Sequence, residues 1–229
     1  DLLKPRSATA ENPAPLVVVV PGFQRSREAL ANIAIELARR GIVVISIDPY
    51  AQGRSSSSYS RRAATPEGSG MFAVVDYAAS SEILNSIDTS RIASTGHAAG
   101  GNAAIRGANY FGRQAQESGL PSKLHSVFVS GYVLTLQDDV LKDVRSNIGV
   151  SYAFYDEGAY RNELKNGDMR IAPEALRVVN LDRDPALSPV EEVQLGHYYG
   201  NLGERTLRVV HNERIIHPFQ PYMPEATAN

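Results

Sequence analysis

The most constraining stretch of this chain is Thr95-Gly96-His97-Ala98-Ala99-Gly100-Gly101. It follows the strand predicted for Arg91 to Thr95 and opens a helix, about Ala99 to Phe111, crowded with Gly and Ala. Glycines stand two residues before and two residues after position 98. A sharp strand-to-helix turn needs that spacing. It forces its central residue into a strained backbone conformation, and only small flanking residues escape a clash. The central side chain is then raised above the sheet, beside the positive end of the following helix. Position 98 is alanine, so the raised position carries no reactive atom.

The rest of the chain supplies the sheet this turn requires. Residues 1–14 are polar, carry Pro5 and Pro13, and read as an edge segment or linker. Leu16 to Val20 is a continuous apolar, β-branched run, as expected of a strand buried on both faces. It ends at the turn Pro21-Gly22-Phe23-Gln24. Ser26 is a candidate N-cap. Leu30, Ile33, Ala34, Leu37 and Ala38 recur at helical spacing, and Gly41 suits the C-terminal cap. Ile42 to Ile47 predicts a second buried strand, so this unit is a right-handed parallel crossover. A serine-rich loop runs to about residue 68 and reads as solvated, followed by a helix over roughly Met71 to Ile87. Further strands are expected at His125–Val133, Ile148–Tyr155 and Leu207–Val210. Repeated strand–helix alternation predicts an α/β fold: one domain over residues 1–229 with a doubly wound, mostly parallel sheet and helices on both faces. Residues 159–204 are too long for a simple crossover and are a candidate cap insertion. A helix expected after His217 barely begins before Asn229.

Composition narrows the chemistry. The formal net charge is -2 and the isoelectric point about 6.2, which offers no electrostatic case for nucleic acid or an anionic membrane. There is no cysteine, so disulfides, thiol catalysis and Cys-based zinc sites are excluded. No apolar run approaches the roughly 20 residues of a membrane span. The five histidines form no H-x-x-x-H or comparable ligand spacing, and neither metal nor cofactor is expected.

Three separated motifs bear on function. Pro21-Gly22-Phe23 closes the first buried strand. Asp48 through Gly53 and Ser55 closes the second, in the form D-x-x-A-x-G-x-S. Gly96-His97-Ala98-Ala99-Gly100-Gly101 matches a nucleophile elbow, G-x-S-x-G, in all but the serine. In order and spacing the chain, over about residues 15–217, resembles the α/β-hydrolases of the esterase, lipase and polyester-hydrolase (cutinase-like) group. It departs from their D-x-x-G-x-G-x-S loop at Ala51.

The resemblance implies an α/β-hydrolase fold and a serine-type carboxylic ester hydrolase working through an acyl-enzyme on a small-molecule ester. Ala98 occupies the nucleophile position, and the N–H groups of Phe23 and Ala99 form the oxyanion hole. The family order is nucleophile, acid, histidine. Asp156 is the first carboxylate after the Ile148–Tyr155 strand; Glu157, Asp182, Asp184 and Asp138 are alternatives. His217, in the loop after the last strand, is the expected base, with His211 the alternative. Taken alone, Asp156 also suits a helix N-cap, and a histidine before proline suits a surface loop. Phe23, Tyr50 and the tyrosines of 152–160 are candidates for an apolar acyl or aryl pocket. Two accounts of Ala98 stand: an introduced Ser-to-Ala replacement, favoured because Gly96, His97, Gly100, Gly101, Asp156 and His217 all remain in place, or a non-catalytic relative that binds a ligand in the old pocket. A secreted or envelope-exposed location is slightly favoured. Peptidase, dehalogenase and thioesterase chemistries share the fold and stay open.

Overall fold

The computed structural model describes residues 1–224; the start of the helix expected beyond His217 therefore lies largely outside the described residues. Seven strands form one sheet: β1 (Leu2–Leu3), β2 (Ala14–Val20), β3 (Val43–Ser46), β4 (Ile87–His97), β5 (Leu124–Ser130), β6 (Asn147–Ala153) and β7 (Arg208–Glu213). Their spatial order is β1-β3-β2-β4-β5-β6-β7. All pairings are parallel except β1 with β3, where Leu2 faces Ile45. The N-terminal stretch is thus an edge strand. It is an α/β-hydrolase fold with helices on both faces of the sheet.

The sheet's interior explains its sequence. Every residue of β6 is buried, so that strand shows no alternation. α1 (Ala31–Arg39) packs on β3 and buries Ala34 against a small cluster with Val19, Leu30 and Val44. Gly41, at φ +87°, ends it as expected. Ser26 precedes a 3₁₀ turn at Arg27–Leu30 and makes no side-chain cap bond, so its role as N-cap is not realised. α2 (Met71–Ser80) and α3 (Ala99–Ser118) cover the opposite face and enclose the main core with Ile92, Ile105, Phe111 and Leu124.

Two predicted helices change length, and the strands predicted for 91–95, 125–133 and 207–210 run over Ile87–His97, Leu124–Ser130 and Arg208–Glu213. The helix expected to reach Ile87 ends at Ser80: the Ser80 hydroxyl donates to Asp76 O at 2.9 Å, Ser81 turns extended, and Ile87 pairs with Ala14 as the start of β4. The apolar residues that prolonged the helical pattern include Ile83, which is exposed. α3 in turn runs seven residues past Phe111, to a left-handed Gly119. Beyond β5, α4 (Asp138–Leu141) and α5 (Pro173–Asn180) complete the helices among the described residues. α5 packs against β7, and from residues 159–204 only Tyr160 and Arg161 reach the cleft described below.

Candidate active site

β4 delivers the turn at the middle of the sheet, where β2 and β5 flank it. Ala98 sits at φ 53°, ψ -114°, a region that costs a non-glycine residue about 1–3 kcal/mol. The surroundings hold it there. Ala98 N donates to Ser130 O at 2.9 Å, and Ala98 O accepts from Asn102 N at 3.0 Å. A methyl group on Gly96 would lie 2.4 Å from Val20 O, and one on Gly100 would lie 1.9 Å from the same oxygen. Both glycines are therefore imposed by backbone that cannot yield. Ala99 is the first residue of α3, so its N–H has no carbonyl within the helix and points out of the helix start.

The turn after β2 meets this elbow. A Cβ on Gly22 would stand 3.3 Å from His97 O and 3.5 Å from Ala98 Cβ. Gln52, an unspecified position of the loop motif, clamps the turn: its Nε2 donates to Gly22 O at 3.1 Å and Arg25 O at 2.7 Å, and its Oε1 accepts from Gln24 N at 2.8 Å. Asp48 knots the loop by accepting from Arg27 N, the Arg27 guanidinium and Arg54 N. Burial opposes that carboxylate, but these donors outweigh it and hold its pKa low. Ser55 donates to Asp48 O at 2.7 Å, and Ser58 donates to Glu67 at 2.9 Å, so the serine-rich loop is partly structural rather than only solvated. Ala51 adopts φ +59°, the left-handed conformation for which the family pattern carries glycine.

Asp156 lies three residues beyond β6 and is buried. His217 opens a 3₁₀ turn after β7. His217 Nδ1 and Asp156 Oδ2 are 2.8 Å apart. Gly158 N donates to Asp156 Oδ1 at 2.6 Å, and the Tyr152 hydroxyl also bonds this carboxylate. Burial pushes the Asp156 pKa up, yet the His217 contact and the other donors prevail and leave it below the ordinary carboxylate range. Tyr152 moves the opposite way: burial and the Asp156 charge raise its phenol well above normal. His97 stacks on His217 with ring centroids 4.3 Å apart, and burial, then the charge of His217, lowers its pKa to about 3.

A cleft of about 530 Å³ brings these residues together. Ala98, Ala99, Phe23, Asp156, Glu157 and His217 all line it, with Tyr132, Val133, Leu134, Tyr152, Tyr160 and Arg161. Glu157 reaches the cleft, but the carboxylate on His217 Nδ1 is that of Asp156. Asp138 is near Arg177, Asp182 pairs with Arg208 and Asp184 caps Ala186, all away from it. His211 lies within β7, His125 bonds Ser126 and His197 packs on Tyr199. Of the aromatic candidates, Phe23, Tyr152 and Tyr160 line the cleft. Tyr50 does not; its ring lies against Gly70, because the loop after β3 turns back towards α2. Tyr155 packs edge-on against Phe154. Gln52 and Tyr132 were not singled out for the site from sequence, and Tyr152 was a candidate for the pocket wall but not as a partner of Asp156. Tyr152 carried a usable signal, standing four residues before the acid on a strand predicted to end beside it.

The strained turn, the facing turn after β2 and the histidine–carboxylate pair define an α/β-hydrolase of the serine-esterase class. The chain belongs to the PET hydrolase-like (PETase) family, whose model matches residues 4–169. Among solved structures it is similar to Est1E from Butyrivibrio proteoclasticus, a structure with ferulic acid bound. That match has 13% identity and TM-score 0.62, over 100% of this chain and 90% of that one. It also matches the α/β-hydrolase GrgF from Penicillium sp. sh18 at 18% identity and TM-score 0.46, over 58% of this chain and 40% of that one. No curated protein matches it in sequence. Among the described residues no helix is long and apolar enough to cross a membrane, and no His, Asp and Glu cluster could hold a metal ion.

Proposed function

We propose that the chain is a serine-type carboxylic ester hydrolase whose nucleophile position holds Ala98, so that this copy is inactive. With serine at 98, its Oγ would attack an ester carbonyl. Asp156 occupies the Nδ1 side of His217, which leaves Nε2 to take the serine proton and later return one to the leaving alcohol. Asp156 would orient the imidazole and stabilise its charged form. The N–H groups of Phe23 and Ala99 would hold the oxyanion, each worth roughly 3 kcal/mol of barrier. Water would then release the acyl group by the same steps. The rings of Phe23, Tyr132, Tyr152 and Tyr160 along the cleft support an apolar or aromatic acyl group.

The observation that carries this reading is the His217–Asp156 pair opening into the same cleft as the strained residue 98. Removing the serine from a complete triad costs about 10⁶-fold in turnover in subtilisin, which is why Ala98 silences the chain. The test is Ala98→Ser. It is expected to hydrolyse short nitrophenyl esters and to be labelled by a fluorophosphonate, whereas the present chain does neither. A folded Ala98→Ser protein with no turnover and no label would remove the hydrolase reading and leave the ligand-binding one.

A further inference from the structure

Next to the His217 turn lies a buried polar chain that none of the triad roles uses. Gln220 stands three residues after His217 in the same turn, and its N donates to His217 O at 3.2 Å. Its side chain is only 1% exposed. Its Nε2 donates to Ser151 Oγ at 2.7 Å, and the Ser151 hydroxyl in turn donates to Glu213 Oε2 at 2.9 Å. The remaining amide oxygen, Gln220 Oε1, is buried without a partner among the described residues, and so is His97 Nε2. Both approach one point. A methyl group on Gly131 would stand 2.9 Å from Gln220 Oε1, 2.9 Å from His97 Nε2 and 2.9 Å from His217 Cε1. The amide, the elbow histidine and the base thus crowd a single glycine, with no room for a side chain there.

An amide is a costly choice for this place. An apolar side chain of the same length would fill the space without burying an unsatisfied oxygen. The direction of the chain also has a consequence. Ser151 uses its proton on Glu213, so it accepts from Gln220. That commits the amide nitrogen to β6 and fixes the orientation of the amide.

We propose that Gln220 is a positioning residue: it ties the His217 turn to β6 and so fixes the His217 ring against Asp156. The proposal rests on reading His217 as the base, but its first test needs no turnover.

Nitrogen–proton NMR of the imidazoles in the present chain reads the effect. The parent is expected to show a protected, downfield His217 Nδ1–H shared with Asp156. Gln220→Met, of similar length, is expected to broaden or lose that signal, with circular dichroism unchanged. If a folded Gln220→Met protein keeps it, the proposal is overturned. If that variant does not fold, Ser151→Ala decides. It removes the amide's anchor but none of its bulk, and is expected to move the signal in the same direction; an unchanged signal there overturns the proposal equally. A second arm uses Ala98→Ser as parent. Gln220→Met is expected to lower kcat roughly 10- to 100-fold with KM within about twofold, the pattern of a displaced base rather than lost substrate contact. An unchanged kcat counts against the positioning role. If Ala98→Ser itself has no turnover, the hydrolase reading falls while the NMR result still decides the role of Gln220.

Discussion

Acidification from pH 7 to pH 4.5 should strip stability from this protein through one buried imidazole. His97 packs under the elbow, and burial, then the charge of His217, lowers its pKa to about 3. Arg25 adds to that lowering, and only Asp156 among its charged neighbours opposes it appreciably. In the unfolded chain the same imidazole titrates near the ordinary value of about 6.5. A group depressed on folding contributes stability that is complete above its unfolded pKa and is lost as pH falls towards its folded one. Here that window runs from about pH 6.5 down to about 3, because the unfolded state takes up a proton that the folded state refuses. Each pH unit well inside the window costs about 1.4 kcal/mol, so the step from pH 7 to 4.5 removes about 2.5 kcal/mol. Urea unfolding of the present chain and of His97→Phe at both pH values isolates this contribution, since all other groups titrate in both proteins. The parent should lose about 2.5 kcal/mol more than the variant across the step. Equal losses would mean that His97 takes up a proton in the folded state, and the argument from its burial would be wrong.

Two further outcomes follow from the site's packing. Gly100→Ala puts a methyl group 1.9 Å from Val20 O, against the Val20–Pro21 backbone; overpacking of about 3 kcal/mol should lower the thermal midpoint by roughly 6–12 °C. A midpoint within a degree of the parent would show that the start of α3 is not seated on the end of β2. Tyr152→Phe keeps the ring in the cleft wall but removes a donor from Asp156. The folded pKa of Asp156, now held low, should rise, so the stability that this carboxylate contributes above its unfolded pKa shrinks and is lost at a higher pH on acidification. Carbon NMR of the Asp156 carboxyl measures the shift, and an unmoved titration would exclude the phenol as a donor.

The strands and the elbow were legible in sequence because their causes are local. Leu16 to Val20 read as a doubly buried strand because apolar, β-branched runs suit little else, and Gly96 and Gly100 mark the elbow because a tight turn admits no Cβ beside it. Even the departure at Ala51 was visible, and its φ of +59° supplies the reason a glycine is the usual residue there. The end of α2 was not legible, since Ile83 and Leu84 prolong the helical pattern although Ser81 has already turned extended. Between Asp156 and Glu157, or between His217 and His211, neighbouring residues of one type look alike in sequence. Their separation depends on which side chain faces the cleft and which one Nδ1 reaches.

The sequence by itself determined the order of strands and helices, the strained turn at Ala98 and the short set of carboxylates and histidines from which a site could be built, because these depend on sterics and periodicity within a few residues. Only the tertiary structure decided that Asp156 meets His217, that Gln52 clamps the turn before Phe23, that Tyr152 shares Asp156 and that Gln220 joins the His217 turn to β6. Those contacts join residues from 4 to 69 positions apart, and their partners are set by the twist and register of the sheet.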